Sequence, residues 1–374
     1  MNNRLNKILV LVLILLFIKN GLVFAAPRPN LSASSAILMD VTTGKVLFTK
    51  NSNERRAPAS TTKVLTALVA LERGEMNEII TTSQNASKID GSSIWLAPGE
   101  KHTLEELLYG VLLSSGNDAS VAIAEGLAGS EAKFADWMNE KAQAIGANDS
   151  CFKNSNGLPE SGHYSTAYDL ALITRYALHN PVFTEMVKTK KRAITWPGRD
   201  YNRMMVNHNK LLWRYEFADG VKTGYTRQAG KCLIASATKK GQRLIAVVLN
   251  SKQMYEDSKH LFEYGFSNYQ LLTVIQSEQK IGSISVEEGI DSQVPVLPHR
   301  PVTLVIPRGQ LDKVEVKVEI PQSIAAPVER LQQVGEVEVK IGSKLVEKIP
   351  VVTAVGVPRE GFWRRLWNWL KSMI

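Results

Sequence analysis

The stretch Pro58-Ala59-Ser60-Thr61-Thr62-Lys63, running into Val64-Leu65-Thr66-Ala67-Leu68, constrains this chain more than any other. Val64, Leu65, Leu68 and Leu71 recur at helical spacing as an apolar stripe, and Gly74 is a natural stop. Ser60 and Lys63, three residues apart at the opening of that helix, share a face one turn apart. The lysine stem must then pass through apolar packing, where desolvation lowers an ammonium pKa. A neutral amine beside a hydroxyl is a general base beside a nucleophile. The helix N-terminus adds a positive field that favours developing negative charge. Taken alone, the tetrapeptide is more readily a helix cap followed by a solvated lysine.

Two further stretches change that balance. Ser115-Gly116-Asn117 separates an apolar helical run, Leu104 to Leu113, from a second helix beginning near Asp118. Lys222-Thr223-Gly224 follows the turn pair Asp219-Gly220 and opens an extended run. Singly, Ser115 reads as a turn residue, Asn117 as a helix cap, Lys222 as a strand-edge lysine and Gly224 as a bulge. Jointly and in this order, the three motifs resemble the active-site triplet of the penicillin-recognising serine enzymes. Asn209-Lys210-Leu211-Leu212-Trp213, Asp219 to Thr226, Asn156-Gly157-Leu158-Pro159 and Ser165-Thr166-Ala167-Tyr168-Asp169-Leu170 look like the low-molecular-mass D-alanyl-D-alanine carboxypeptidases. The resemblance covers roughly Ala36 to Tyr269.

The resemblance implies that Ser60 attacks the carbonyl between two terminal D-alanines of a peptidoglycan stem peptide, giving an acyl-enzyme that β-lactam antibiotics also form. It implies that Lys63 takes the serine proton, Ser115 relays a proton to the leaving amine, and Lys222 supports that relay. Asn117 would hold the substrate backbone, and Thr223 with Thr226 the terminal carboxylate. Gly224 would let the strand approach substrate closely. The backbone N–H groups of Ser60 and Tyr225 would form the oxyanion hole. No metal or organic cofactor is implied. Relatives with an arginine in the region matching Met254-Tyr255-Glu256-Asp257 use it at the carboxylate; none stands here, and Arg227 or Thr223 is left to take that part. His163 and Asp169 are expected in support roles at most.

The ends of the chain give an address. Arg4 and Lys7 precede an apolar run from Ile8 to Ile18, and Val23-Phe24-Ala25 fits a small-residue cleavage site, so residues 1–25 read as a secretory signal peptide. A membrane span needs about 20 apolar residues, and Lys19-Asn20 interrupts too early. Phe362, Trp363, Leu366, Trp367 and Leu370 share one helical face, while Arg364, Arg365, Asn368 and Lys371 occupy much of the other. That pattern suits an amphipathic helix, residues 358–374, lying in the interface of an anionic bilayer at the outer face of the cytoplasmic membrane. The formal charge is +9. No cationic run interleaved with aromatics suggests nucleic acid, so the charge points to an anionic wall or membrane surface. Cys151 and Cys232 are read as free thiols, since Cys232 sits in an apolar strand.

The fold expected is α+β. Ala36 to Met39 and Lys45 to Phe48 read as a hairpin before the Ser60 helix. Helices follow at Leu104 to Leu113, Ala119 to Leu127, Glu131 to Ile145 and Thr166 to Leu178. Strands return at Val221 to Thr226, Cys232 to Ala237 and Leu244 to Asn250, and a helix from Glu256 ends at Gly265. Strands at both ends with helices between suggest one antiparallel sheet covered by helices, residues 26–272. The resemblance adds a helical lobe, as in β-lactamases and transpeptidases. From Thr273 the texture changes to short alternating runs, read as a small β-sandwich over residues 273–357 that serves as a spacer. A β-lactamase of the same fold, a transpeptidase and an inactive wall-binding protein are the alternatives. Among glutamates from Glu125 to Glu216, none has the asparagine four positions later that a β-lactamase loop carries.

Overall fold

Two β-hairpin segments from opposite ends of the first unit meet in one sheet. In the computed structural model, which describes residues 26–361, β1 (Ser35–Asp40) and β2 (Val46–Lys50) are joined by a tight turn. Asp40 Oδ1 accepts from the Thr43 N–H at 2.8 Å, and Gly44 takes φ 72°. β3 (Ala218–Thr226), β4 (Gly230–Lys239) and β5 (Gln242–Leu249) form a meander. The order is β2-β1-β5-β4-β3, antiparallel throughout, so β1 pairs with β5 across more than two hundred residues of sequence. β1 and β5 are buried along almost their whole length, because helices cover both faces.

The helices of two turns or more are α1 (Lys63–Arg73), α2 (Leu104–Leu112), α3 (Asn117–Ala128), α4 (Glu131–Ile145), α5 (Ala167–Ala177), α6 (Pro181–Lys188) and α7 (Met254–Asn268). α1 is buried on all sides from Lys63 to Ala70 and packs against α2, α3, α4 and α5, so it is the axis of the helical lobe. α2 starts at a capping box: Thr103 Oγ1 accepts from the Glu106 N–H while Glu106 reaches back to the Thr103 N–H. The expected end of α7 at Gly265 is a correction, since the helix continues to Asn268. Gly265 is there for close packing: a Cβ would lie 2.6 Å from Leu244 Cδ1 and 2.8 Å from Leu38 Cδ2.

The first unit spans Ala26–Asn268, and the second begins at Tyr269. In the second, Tyr269–Ile275 pairs with Val302–Pro307. Six further strands form a sheet in the order Val314–Glu319, Gln333–Ile341, Lys344–Thr353, Gln293–Pro298, Gly282–Glu287, Ser323–Ala325. Ile284, Val294, Val296, Val302, Val337, Val339, Ile349 and Val351 form its core. The segment read as a signal peptide and the tail from residue 362 lie outside the described residues. Among the described residues, no helix is long and apolar enough to cross a membrane.

Gly265→Ala should therefore destabilise the first unit by about 1–3 kcal/mol, because two packed leucines must move to admit a methyl group. Thermal unfolding of the variant should show a lower midpoint; an unchanged midpoint would contradict this packing.

Candidate active site

Ser60 occupies a single 3-10 turn, Ala59–Thr62, and α1 begins only at Lys63. The chain enters this turn through Ala59 at φ 50°, a left-handed conformation costly for alanine. Thr61 closes the turn, donating from its N–H (3.3 Å) and its hydroxyl (2.6 Å) to the Pro58 carbonyl. Two glycines bring other strips of chain against it. A Cβ on Gly224 of β3 would stand 3.0 Å from the backbone nitrogens of both Ser60 and Thr61. A Cβ on Gly157, at φ 85°, would stand 2.0 Å from the Ala59 carbonyl oxygen. Gly157 admits only hydrogen, and at Gly224 any side chain would press on both backbone nitrogens.

Lys63 is fully buried, and its amine has three neighbours. Nζ lies 3.2 Å from Ser60 Oγ, 2.6 Å from Asn117 Oδ1 and 2.7 Å from the Asn156 carbonyl. Burial holds its pKa well below the usual lysine value, and the charge of Lys222 lowers it further; Asp118 and Glu131 pull the other way. A neutral amine has two N–H donors and one lone pair. Asn117 Oδ1 and the Asn156 carbonyl can only accept, so they take both donors. The lone pair is left facing the Ser60 hydroxyl.

Each of those acceptors is itself fixed. Asn117 opens α3, its Nδ2 donating to the Asp90 carbonyl at 2.5 Å, which turns Oδ1 toward Lys63. Asn156 sits in a loop anchored by Glu131, whose Oε1 accepts from Ser155 N–H, Ser155 Oγ and Asn156 Nδ2. Buried Asp118 gathers the segment before the second motif, accepting from Ser93 Oγ and from the N–H groups of Ile94 and Leu96. Ser115, almost fully buried, has φ 62°. Lys222, two residues before Gly224 and on the same strand face, is 1 % exposed, and burial lowers its pKa to about 7. Its Nζ donates to the Thr223 carbonyl at 3.0 Å. Thr223 is half-buried and Tyr225 exposed. Thr226 Oγ1 is engaged in the β3–β4 turn, accepting from the Ala229 N–H at 3.0 Å.

The D-alanyl-D-alanine carboxypeptidase family model matches residues 22–253, and the model of the penicillin-binding protein 5 C-terminal domain matches residues 269–359. The chain belongs to the D-alanyl-D-alanine carboxypeptidase family. It is 36% identical over 352 residues to D-alanyl-D-alanine carboxypeptidase DacF of Bacillus subtilis, spanning 91% of this chain and 90% of that one. It is 32% identical to DacC of Escherichia coli, spanning 95% and 92%. Among solved structures, penicillin-binding protein 5 of Haemophilus influenzae superposes with a TM-score of 0.77 at 28% identity, covering 89% of this chain and all of that one.

In this carboxypeptidase, then, Ser60, Lys63 and Asn117 meet directly, and Gly224 brings β3 onto the same turn. Asp169 lies apart from that contact set, accepting from the Asp149 N–H and the Ser150 hydroxyl. His163 is closer. The Lys153 N–H must donate to Nδ1 (3.3 Å), so Nε2–H donates to Thr62 Oγ1 (3.0 Å). Burial lowers the ring's pKa to about 4, which keeps it neutral. In the Met254 to Asp257 region, Asp257 is buried and accepts from Ser32 and Ala33, tying down the N-terminal segment. The stretch Asn156-Gly157-Leu158-Pro159 stood out by resemblance, but nothing in the sequence assigned the Asn156 carbonyl to Lys63 or Glu131 to its anchor, because a backbone acceptor carries no side-chain signature.

A buried lysine whose folded-state pKa is about 7 is mostly neutral at pH 9, while the unfolded chain is still protonated up to about 10.5. The unfolded state thus binds more protons in that window, and stability from Lys222 rises with pH between 7 and 10.5. Lys222→Met should flatten that rise and raise the unfolding midpoint at pH 7, while lowering activity. Denaturant melts across this pH range check it; an equally steep rise in the variant would show that Lys222 is not the group responsible.

Proposed function

We propose that this serine-type D-alanyl-D-alanine carboxypeptidase uses Ser60 as nucleophile and neutral Lys63 as base. The orientation of the Lys63 lone pair carries the reading. As Ser60 Oγ bonds to the carbonyl carbon of the penultimate D-alanine, its proton passes to Lys63 Nζ. Negative charge on the carbonyl oxygen is met by the Ser60 and Tyr225 N–H groups, and losing such a donor typically costs about 3–4 kcal/mol. The C–N bond then breaks, and the leaving D-alanine amine takes a proton relayed through Ser115, with Lys222 supporting that transfer. Water hydrolyses the ester, with Lys63 again receiving a proton, and Ser60 is regenerated. Asn117 holds the substrate backbone between Lys63 and the strand.

Thr223 and Lys222 are the groups we assign to the substrate carboxylate. Thr226 can join them, since its oxygen accepts from the Ala229 N–H and its hydroxyl hydrogen stays available to donate. Penicillins present a strained amide in place of the D-Ala-D-Ala bond and acylate the same hydroxyl. We further propose export by the 1–25 segment and attachment to the outer face of the cytoplasmic membrane by the tail helix; the charge and apolar patterns described above support both. The second unit is proposed as a spacer between membrane and active site.

Ser60→Ala should reduce D-alanine release from a stem pentapeptide by several orders of magnitude and abolish the covalent penicillin adduct seen by mass spectrometry. Release equal to wild type would remove the nucleophile from this scheme. The acylation rate should fall at low pH as Lys63 becomes protonated, and Lys63→Arg should be nearly inactive, since a guanidinium keeps its proton.

A further inference from the structure

At the start of β3 a groove of about 1010 Å³ opens on the surface of the first unit. Two stretches of chain line it. One carries Lys188, Lys190 and Lys191, where α6 ends and the strand Lys191–Ile194 begins. The other runs from the short turn Leu211–Arg214 to Ala218.

Buried asparagines fix both stretches. Asn207, 3 % exposed, donates from Nδ2 to the Val187 carbonyl (3.2 Å) and the Thr189 carbonyl (3.0 Å), clamping the lysine segment. Asn209, 1 % exposed, donates to the Gly220 carbonyl of β3 at 2.7 Å, and its Oδ1 accepts from the Leu211 N–H at 3.1 Å. Asn207 Oδ1 accepts from the Asn209 N–H at 2.9 Å, so one linked pair holds both sides.

The charge of the lining is one-sided. Lys188, Lys190, Lys191 and Arg214 are exposed, and none enters an ion pair among the described residues. Glu216 is the one acid in this lining among the described residues. Lys190 Nζ stands 5.9 Å from the Trp213 ring centroid, and Arg214 Cζ 5.9 Å from that of Tyr255. Aromatic faces thus hold two of the cations without neutralising them. Arg192 shows the ordinary alternative, turning to Glu105 at 3.5 Å and to the Tyr109 ring. Like charges gathered on one groove repel over a Debye length of about 8 Å. A fixed concavity that carries this cost presents a focused positive field to an anion.

Shape and donors narrow the anion. A bilayer surface is flat, whereas a concave groove takes a chain. Planar carboxylates are matched best by the guanidinium fork, but three of these four cations are lysines, point charges that suit phosphate. We infer that this groove binds a linear phosphodiester polymer, with Lys188, Lys190, Lys191 and Arg214 meeting its phosphates. Ala218 lies four residues before Lys222, about 13 Å along β3, so the polymer tethers the enzyme by a surface separate from the cleft. Binding is measured directly and does not depend on the roles assigned to Ser60 and Lys63.

The experiment titrates residues 26–374 with a labelled glycerol-phosphate decamer and a labelled glutamate decamer. At about 0.15 M salt the phosphate chain should bind, and the glutamate chain about tenfold more weakly. Lys188→Gln, Lys190→Gln and Lys191→Gln together should weaken phosphate-chain binding about tenfold and flatten its salt dependence. Lys252→Gln, Lys259→Gln and Lys344→Gln, at exposed lysines outside the groove, make the same change in net charge and should leave affinity unaltered. D-alanine release from a soluble pentapeptide, and binding to phosphatidylglycerol vesicles, should match wild type in the groove variant. The inference is overturned if wild type does not bind the phosphate chain, if the glutamate chain binds as tightly, or if both triple variants lose affinity equally. A groove variant that keeps wild-type affinity, or that loses D-alanine release or vesicle binding as much as polymer binding, overturns it too.

Discussion

An amine sealed away from water, with two acceptors claiming its hydrogens, is what the rest of the first unit is built to hold. Water would let Lys63 keep its proton, and a third acceptor in place of Ser60 would turn the lone pair elsewhere. Both conditions need partners that cannot rotate or leave. Asn117 is locked by the Asp90 and Ser92 carbonyls, Asn156 by Glu131, and the α1 surface by packing against four helices. Burying that lysine costs stability, and the apolar packing of α1 and of the β1–β5 pair offsets the cost. The fold and the chemistry are thus the same constraint viewed from two ends.

Backbone strain around the cleft follows from that constraint. Ala59, Trp95 and Ser115 all have positive φ without being glycine, and each belongs to one of the strips that meet near Ser60. Regular helix and strand cannot bring three such strips together over a turn as short as Ala59–Thr62, so the chain bends sharply where they meet. Gly157 and Gly224 then take the positions where backbone must touch backbone. Strain of this kind persists only under over-determination, and the bonds from Asp118, Glu131 and Arg203 supply it.

Much of this was legible in the sequence because the motifs are local. Ser60 and Lys63 are one turn apart in any helical geometry, and the alternating runs after Thr273 read directly as strands. The helix over Glu131–Ile145 could be bounded by its cap and its apolar spacing, Ser130 Oγ accepting from Lys133 N–H and Gly146 closing the end. Gly265 was misread because a glycine in a helical pattern looks the same as a stop or as a packing contact. Only the distant Leu38 and Leu244 distinguish the two. The Asn156 carbonyl and the Asp118 anchor were invisible for a related reason: their partners lie tens of residues away, and a carbonyl belongs to every residue type.

The two buried lysines are a further consequence of sharing one cleft. Lys222, near 7, sits at the boundary between its charged and neutral forms, and its charge lowers the pKa of Lys63. Under the proposed assignment, a substrate carboxylate arriving beside Lys222 raises the pKa of that lysine and charges it. The new positive charge then pushes Lys63 further toward the neutral amine. Substrate binding and base activation are coupled in sign, through Coulomb interaction alone and with no movement of the chain. A single buried lysine could not do this, since a carboxylate close enough to bind it would also raise its pKa and disable it as a base. Dividing the tasks between Lys222 for charge and Lys63 for proton transfer removes that conflict, which is a physical reason for a site of this kind to bury two.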